Sequence, residues 1–241
     1  VALEPLGKPE EYGKDRLFVY LKSNGELEAG ISELKKAGFP VIEFKIENAY
    51  DAGAEFFRWE IAISAACHIL GINAFDQPDV QDSKLRTIAK IKEYQSTGKL
   101  TEIDLVDFND AKMALDEFLK TPQAGEFVTV NAYVPRNNDM IAAIQSLRTA
   151  LRTKTKLPVT AGFGPRFQHS TGQFHKGGPN TGRFIQFVYD AENDMDIPTQ
   201  GLTFGALIRA QALGDYEALK AAGRKALRIC LSKPEDIKGL F

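Results

Sequence analysis

Glu126-Phe127-Val128-Thr129-Val130-Asn131-Ala132-Tyr133-Val134 is a run of β-branched, aromatic and small side chains without Gly or Pro, and it reads as a strand. Residues 138–153 follow with apolar side chains at helical spacing, and residues 157–162 return to a short apolar run. Strand, helix and strand in so short a span form a crossover unit, whose two strands must be parallel. The same alternation extends in both directions. Upstream, residues 16–21 read as a strand. Residues 24–36 form a helix with Leu27, Ile31 and Leu34 on one face, stopped near Gly38, and residues 40–46 a second strand. Residues 49–70 make a long helix that is apolar round most of its circumference, as a helix buried between layers should be. A helix over 78–98, a short strand over 103–108 and a helix from Asn109, its cap, to residue 120 follow. Downstream come a strand at 183–189, helices at 203–213 and 216–222, and a last strand at 226–231. The expected fold is α/β, a three-layer α/β/α arrangement with a mainly parallel sheet. Each half holds a strand, an apolar helix and a Gly-terminated end, which points to two related lobes, 16–121 and 122–241, after an extended lead-in over 1–15.

Composition narrows the partners. The 241 residues are 44% hydrophobic and 26% charged, with a formal charge of -2, the balance of an ordinary soluble globular protein. Such a balance argues against nucleic acid, where affinity rests on clustered Lys and Arg. No apolar run reaches the roughly 18–20 residues that span a bilayer. The start, Val1-Ala2-Leu3-Glu4-Pro5, has neither the basic nor the apolar part of a secretory signal. It carries no initiator Met and reads as a boundary within a longer polypeptide. Cys67 and Cys230 are expected as reduced, packed thiols of a cytoplasmic protein, and no ligand set has the spacing of a structural zinc site.

Two stretches carry chemistry. In Phe75-Asp76-Gln77-Pro78-Asp79-Val80-Gln81-Asp82-Ser83-Lys84, Pro78 suits a first helical turn, so Gln77 projects from the mouth of the helix and Lys84 can reach back alongside it. An amide and an ammonium converging there suit a polyhydroxylated anion. Spacing alone also admits a capped helix start followed by a solvated lysine. The second stretch, residues 162–182, is polar and Gly-rich and holds Arg166, His169, Ser170, Thr171, Gln173, His175 and Lys176. It follows a strand, at the edge where open α/β sheets bind ligands. Residues His169-Ser170-Thr171 could open a helix whose amides attract an anion, with Arg166 and Lys176 supplying charge. A long surface loop with capping Ser and Thr is the other reading. The segment matches no phosphate-loop or dinucleotide fingerprint. His169 and His175 lack the spacing of a helical metal pair, and Ser170 is not framed as a nucleophile elbow. Glu60 reads as a buried, paired carboxylate, His68 as a core histidine, and residues 190–196 as a solvated acidic loop.

Residues 53–84 resemble the C-terminal region of phosphoglucose isomerase, whose signature sets aromatic-Asp/Asn-Gln-x-Gly-Val-Glu-x-x-Lys after a Gly and a short apolar linker. Here Gly71 precedes it, Asp79 departs from the usual Gly or Pro, and Gln81 from the usual Glu. Phe-Arg-Trp-Glu at 57–60, Phe75 to Gln81, and the stretch Gly164-Pro165-Arg166-Phe167 through Asn180 look most like one subgroup, the bacterial fusion of transaldolase with glucose-6-phosphate isomerase. The resemblance covers most of residues 15–231.

It implies a sugar-isomerase (SIS, flavodoxin-like) type of fold and an aldose–ketose isomerase of glycolysis and gluconeogenesis, interconverting glucose 6-phosphate and fructose 6-phosphate through an enediol. It implies no metal or other cofactor. Lys84 matches the family's active-site lysine, which helps ring opening, and Gln77 its signature glutamine near the substrate phosphate. Gln77, Arg166, His169, Ser170, Thr171, Gln173, His175 and Lys176 are then the substrate-binding set. In shorter bacterial isomerases a stretch like 169–174 leads into the catalytic glutamate, and Gly177 stands at that position here. The cluster also follows the lysine motif instead of preceding it, as in a permuted or duplicated lobe. The expected partners are a sugar phosphate and the upstream isomerase and transaldolase domains of a parent chain. The fragment is expected to lack the catalytic base. A non-catalytic phosphosugar-binding or regulatory lobe is the alternative, and the oligomeric state stays open, a homo-oligomer included.

Overall fold

The computed structural model describes residues 4–240. They fall into two units, Leu6–Gln77 and residues 78–240 with 4–5. The break at Gln77 comes well before residue 121, where the sequence places it. The short strand near residue 105 explains the difference, because it pairs with the last strand of the chain and so belongs to the second unit.

In the first unit, β1 (Phe18–Lys22) runs to α1 (Glu28–Lys36), β2 (Val41–Lys45) and α2 (Ala49–Leu70). The strands are parallel, with Phe18 beside Val41. Tyr20, Ile31 and Leu34 form the core, against which Leu6, Tyr12, Phe18, Phe39 and Val41 pack. The α2 helix starts in a capping box: Asn48 Oδ1 accepts from Tyr50 N at 2.8 Å, and Asp51 accepts from Asn48 N at 3.1 Å. It ends at Gly71, whose φ of +69° is the left-handed stop.

Against expectation, α2 is not enclosed. Glu55 is its one buried residue, whereas Phe56, Phe57, Ile63, Ile69 and Leu70 are exposed. Two strands and one other helix offer too little surface to surround 22 residues. Glu60 and His68 are exposed as well, so neither is the buried group the sequence indicates. The buried carboxylate is Glu55, 3.2 Å from Arg58, whose guanidinium lies 4.8 Å over the Phe44 ring.

The second unit contains α3 (Pro78–Thr97), β3 (Leu105–Asp107), α4 (Ala111–Phe118), β4 (Phe127–Ala132), α5 (Asn138–Thr155) and β5 (Val159–Phe163). It continues with α6 (Gly172–Gly177), β6 (Gly182–Tyr189), β7 (Asp196–Ile197), β8 (Leu202–Thr203), α7 (Phe204–Ala221) and β9 (Lys225–Leu231). Five strands form one sheet in the order β3-β9-β6-β4-β5, and every pair is parallel. The chain is therefore an α/β fold whose five-stranded parallel sheet is flanked by helices. Val128, Val130 and Ala132 of β4 pack with Ile185, Phe187 and Ile229 against Leu115 of α4 and Ile144, Leu147 and Leu151 of α5. On the other face Tyr133, Phe167 and Val188 meet Ala212 of α7, and α3 packs along α7. The acidic run ends in a small antiparallel pair, β7 with β8, instead of remaining wholly loop.

One helix spans Phe204–Ala221 where the sequence suggests two. Gly214 is the reason. A Cβ there would stand 2.6 Å from Thr87 Oγ1 and 2.8 Å from Thr87 N, so this glycine is where α3 and α7 touch, not where a helix stops.

Glu126, just before β4, ties the amino ends of two neighbouring strands. It accepts from Arg183 Nε at 2.7 Å, Gln123 N at 2.9 Å and Lys225 Nζ at 2.6 Å. Burial acts to raise its pKa, but the bonds from Lys225 and Arg183 outweigh it and hold the carboxyl at about 2. A folded pKa below the unfolded value contributes stability that is complete above about pH 4.5 and lost as the pH falls toward 2. Glu126→Gln is therefore expected to lower the urea midpoint at neutral pH and to flatten its decline through that acid window. A variant with an undiminished decline would assign the acid sensitivity to other carboxyls.

Candidate functional site

Thr129 and Asn131 sit on a strand buried on both faces, at 1% and 0% exposure. Buried parallel strands are ordinarily apolar throughout. Here the register sets Thr129 beside Thr160 and Asn131 beside Gly162, and the two-residue alternation turns these positions to one face. They line a cavity of about 510 Å³ at the outer strand β5, together with α5, the loop after β4, and the segment from Arg166 to His175.

Three polar atoms of this cavity's residues are buried without a hydrogen-bond partner among the described residues: Asn131 Nδ2, Thr160 Oγ1 and His175 Nδ1. Asn131 Oδ1 is already engaged by Thr129 Oγ1 at 3.2 Å, which leaves the amide hydrogens unmatched. Each unmatched buried group costs about 1–3 kcal/mol, and these three lie in the wall of the cavity, beneath the atoms that face it.

The cavity is also cationic. Arg136, Arg148 and Arg166 line it, and none of its lining residues is Asp or Glu. Arg148 serves the framework: Nε and Nη2 donate to the Val159 carbonyl at 3.2 and 3.1 Å, and Nη1 to Gln145 Oε1 at 3.0 Å. Its burial pulls its pKa down from the usual arginine value. Arg136 and Arg166 are exposed. Two guanidiniums at the rim of a polar cavity fit a phosphate or carboxylate.

The expected site residues divide. Arg166, His169, Ser170, Thr171 and His175 line the cavity. Ser170 Oγ and Thr171 Oγ1 donate to the Phe167 carbonyl at 3.0 and 3.3 Å, which leaves their oxygens as acceptors. His175 is 4% exposed, with its ring 5.8 Å from that of Phe167 and 5.1 Å from that of Phe184. Burial, with a smaller push from Lys176, takes its pKa down to about 3, so the imidazole is neutral at physiological pH. The helix near 169–171 begins at Gly172 and has six residues, too short to present a strong dipole.

Gln173 and Lys176 do not line the cavity. Gln173 closes the start of α3, accepting from Asp79 N at 3.0 Å and donating to the Asp79 carboxylate. The two sequence stretches are thus joined, and through Asp79, a position where this chain departs from the isomerase signature. Lys176 points inward: its amine is 2.5 Å from Asp215 Oδ1, and both side chains are 1% exposed. It holds α6 on α7 and does not offer its charge to solvent, a correction to its expected role as an anion ligand. Lys84 and Gln77 are exposed, and neither lines this cavity.

Gly177 stands where the resemblance would set the catalytic glutamate. A Cβ at this position would come within 2.5 Å of Asp79 Oδ2 and 2.6 Å of Gln173 Nε2, so a larger side chain would have to displace the side-chain cap on α3.

The sequence reading singles out none of Thr129, Asn131, Arg136 or Thr160. The usable signal is the polar pair Thr129 and Asn131 alternating with Val128, Val130 and Ala132 in an otherwise apolar central strand. Among the described residues no group of three or more His, Cys, Asp or Glu could hold a metal, and no helix is long and apolar enough to cross a membrane.

No protein-family model matches the chain, and no curated protein matches it. Among solved structures it is similar to the hypothetical protein TT0462 from Thermus thermophilus, with 17% identity and a TM-score of 0.43. That match covers 96% of this chain and 55% of TT0462, so this chain spans about half the length of that protein.

Proposed function

We propose that this chain is the phosphosugar-binding C-terminal part of an aldose–ketose isomerase acting on glucose 6-phosphate and fructose 6-phosphate. The observation that carries the reading is the convergence of Arg136 and Arg166 with the polar residues Asn131, Thr160, Ser170, Thr171 and His175 around one cavity that no Asp or Glu lines. In this reading the guanidiniums and His169 take the phosphate, and Asn131, Thr160 and His175 meet the sugar hydroxyls. Neutral His175 serves as a hydrogen-bonding group and not as a cation.

The strand order supports a three-layer sugar-isomerase type of lobe. Taken from β5, the sheet reads β5-β4-β6-β9, the 2-1-3-4 order of a flavodoxin-like sheet, and β3 fills the fifth place from the amino-terminal side. That is the topology a permuted lobe would have. In this reading the chain binds the sugar phosphate and the carboxylate base of the isomerase lies elsewhere. Ring opening by Lys84 rests on the motif alone. A non-catalytic, regulatory phosphosugar lobe shares this cavity and differs only in what the Lys84 amine does.

Calorimetric titration with fructose 6-phosphate and with a phosphorylated sugar acid tests the reading. Saturable binding is expected, weakened about tenfold or more by Arg136→Ala or Arg166→Ala, the cost of a lost charge-assisted bond. No binding at about 5 mM ligand, or variants that bind as well as the parent, would overturn it. Appreciable turnover of fructose 6-phosphate by this chain alone would show that the base is present after all.

A further inference from the structure

Three of the five strands deliver residues to a second, larger cavity of about 920 Å³, Asp107 from β3, Cys230 from β9 and Tyr189 from β6, and Tyr133 joins them from just past the end of β4. It lies at the carboxyl edge of the sheet, beside the reversal of strand order between β4 and β6, where open parallel sheets receive ligands. None of the polar residues assigned above to the phosphosugar line it.

Its walls are aromatic and apolar. Tyr94 comes from α3, Tyr189 from the end of β6, and Phe204 and Ile208 from the first turns of α7. Phe204 is 50% exposed and Met195 70%, which leaves apolar carbon open in a concave site of ligand size.

Its charge is opposite to that of the first cavity. Glu102, Asp107, Asp190 and Asp194 face Lys99 and Arg209. Arg209 is already held by Glu102 at 2.7 Å and Asp190 at 3.3 Å. The start of α7 offers nothing to an anion either. Asp194 Oδ1 accepts from Gly205 N at 2.7 Å, and the Thr203 side chain accepts from Ala206 N at 3.1 Å. A phosphate or carboxylate would meet four carboxylates and closed amides, against the single ammonium of Lys99. Asp190, at 84% side-chain exposure, keeps acceptor capacity toward the cavity.

We propose that this cavity binds an uncharged or cationic aromatic compound carrying amino or hydroxyl donors. Its ring rests on Tyr94, Tyr189 and Phe204, and its donors reach Asp107 and Asp190. The assignment rests on residues separate from those of the phosphosugar reading, and either can fail without the other.

Tryptamine and adenosine serve as cationic and uncharged probes, titrated calorimetrically into the full chain. Indole-3-acetate and AMP are their anionic counterparts, measured in the Arg136→Ala/Arg166→Ala double variant so that the first cavity cannot capture them. Tryptamine and adenosine are expected to saturate, with the anions at least about tenfold weaker. Phe204→Ala and Phe204→Leu, both at a half-exposed position, should weaken both probes, the alanine by about tenfold. Asp190→Asn should affect tryptamine more than adenosine. Failure of both probes to saturate at about 5 mM, anions that bind as well, or indifference to Phe204→Ala would overturn the proposal.

Discussion

Lys176→Met is expected to destabilise the second unit by about 3–5 kcal/mol, the usual result of stripping one partner from a buried ion pair. The lysine amine is 2.5 Å from Asp215, and each side chain is 1% exposed. Burial pushes the Asp215 carboxyl up, and Lys176 is the largest influence opposing that push. Without the lysine, the carboxylate is left in a site that disfavours its charge, so it must take up a proton or the helices must part. Asp215→Asn in the Lys176→Met background removes that charge and should recover a large part of the loss. Urea unfolding of the two single variants and the double variant measures this. A double variant no more stable than Lys176→Met alone would mean that packing of the lysine stem, not the charge, accounts for the effect. The same series bears on the site, because α6 carries His175 between Phe167 and Phe184, and a loosened α6 would displace it.

Gly214→Ala should lower stability by about 1–3 kcal/mol, the range for overpacking a well-filled contact. The sign is the informative part. In an unconstrained helix interior the same change gains about 1 kcal/mol, since alanine is the better helix former. The opposing effect is steric: an added Cβ would lie 2.6 Å from Thr87 Oγ1, 2.8 Å from Thr87 N and 3.1 Å from the Ser83 carbonyl. Two of these three atoms are backbone, so a side-chain rotation cannot relieve the clash, and α3 must move off α7. Thr87→Ala removes the hydroxyl and the γ-methyl but leaves both backbone contacts, and should restore a minor share. A gain in the denaturation midpoint on Gly214→Ala would show that the two helices give way easily, contrary to this close contact.

The parallel sheet was legible because its strands are short apolar runs separated by helices of crossover length, a pattern that leaves few alternatives. The run from Phe127 through Ala132 became a central strand, as its β-branched content implies. What was not legible depended on tertiary contact. Gly214 looks like a stop until its neighbour Thr87 is known. The long apolar α2 implies enclosure, yet periodicity carries no information on whether enough other surface lies nearby to enclose it. Of the candidate site, the sequence marks the polar stretch from Arg166 to His175 but not its floor. Thr129 and Asn131 are conspicuous only once both faces of β4 are known to be buried. Lys176 shows the converse: a lysine among glycines and histidines reads as a ligand until Asp215, distant in sequence, is found beside it.

The Arg148 guanidinium has a consequence beyond its framework role. Among the described residues β5 is the last strand of the sheet, paired with β4 on one side only, and Arg148 donates twice to its Val159 carbonyl. An outermost strand with open carbonyls invites a strand from another molecule, the first step toward aggregation. A bulky, charged planar group fixed on that carbonyl blocks the register in which such a strand would dock. Arg148 thus shields the outward carbonyl of Val159 on the side of the sheet where the cationic cavity opens.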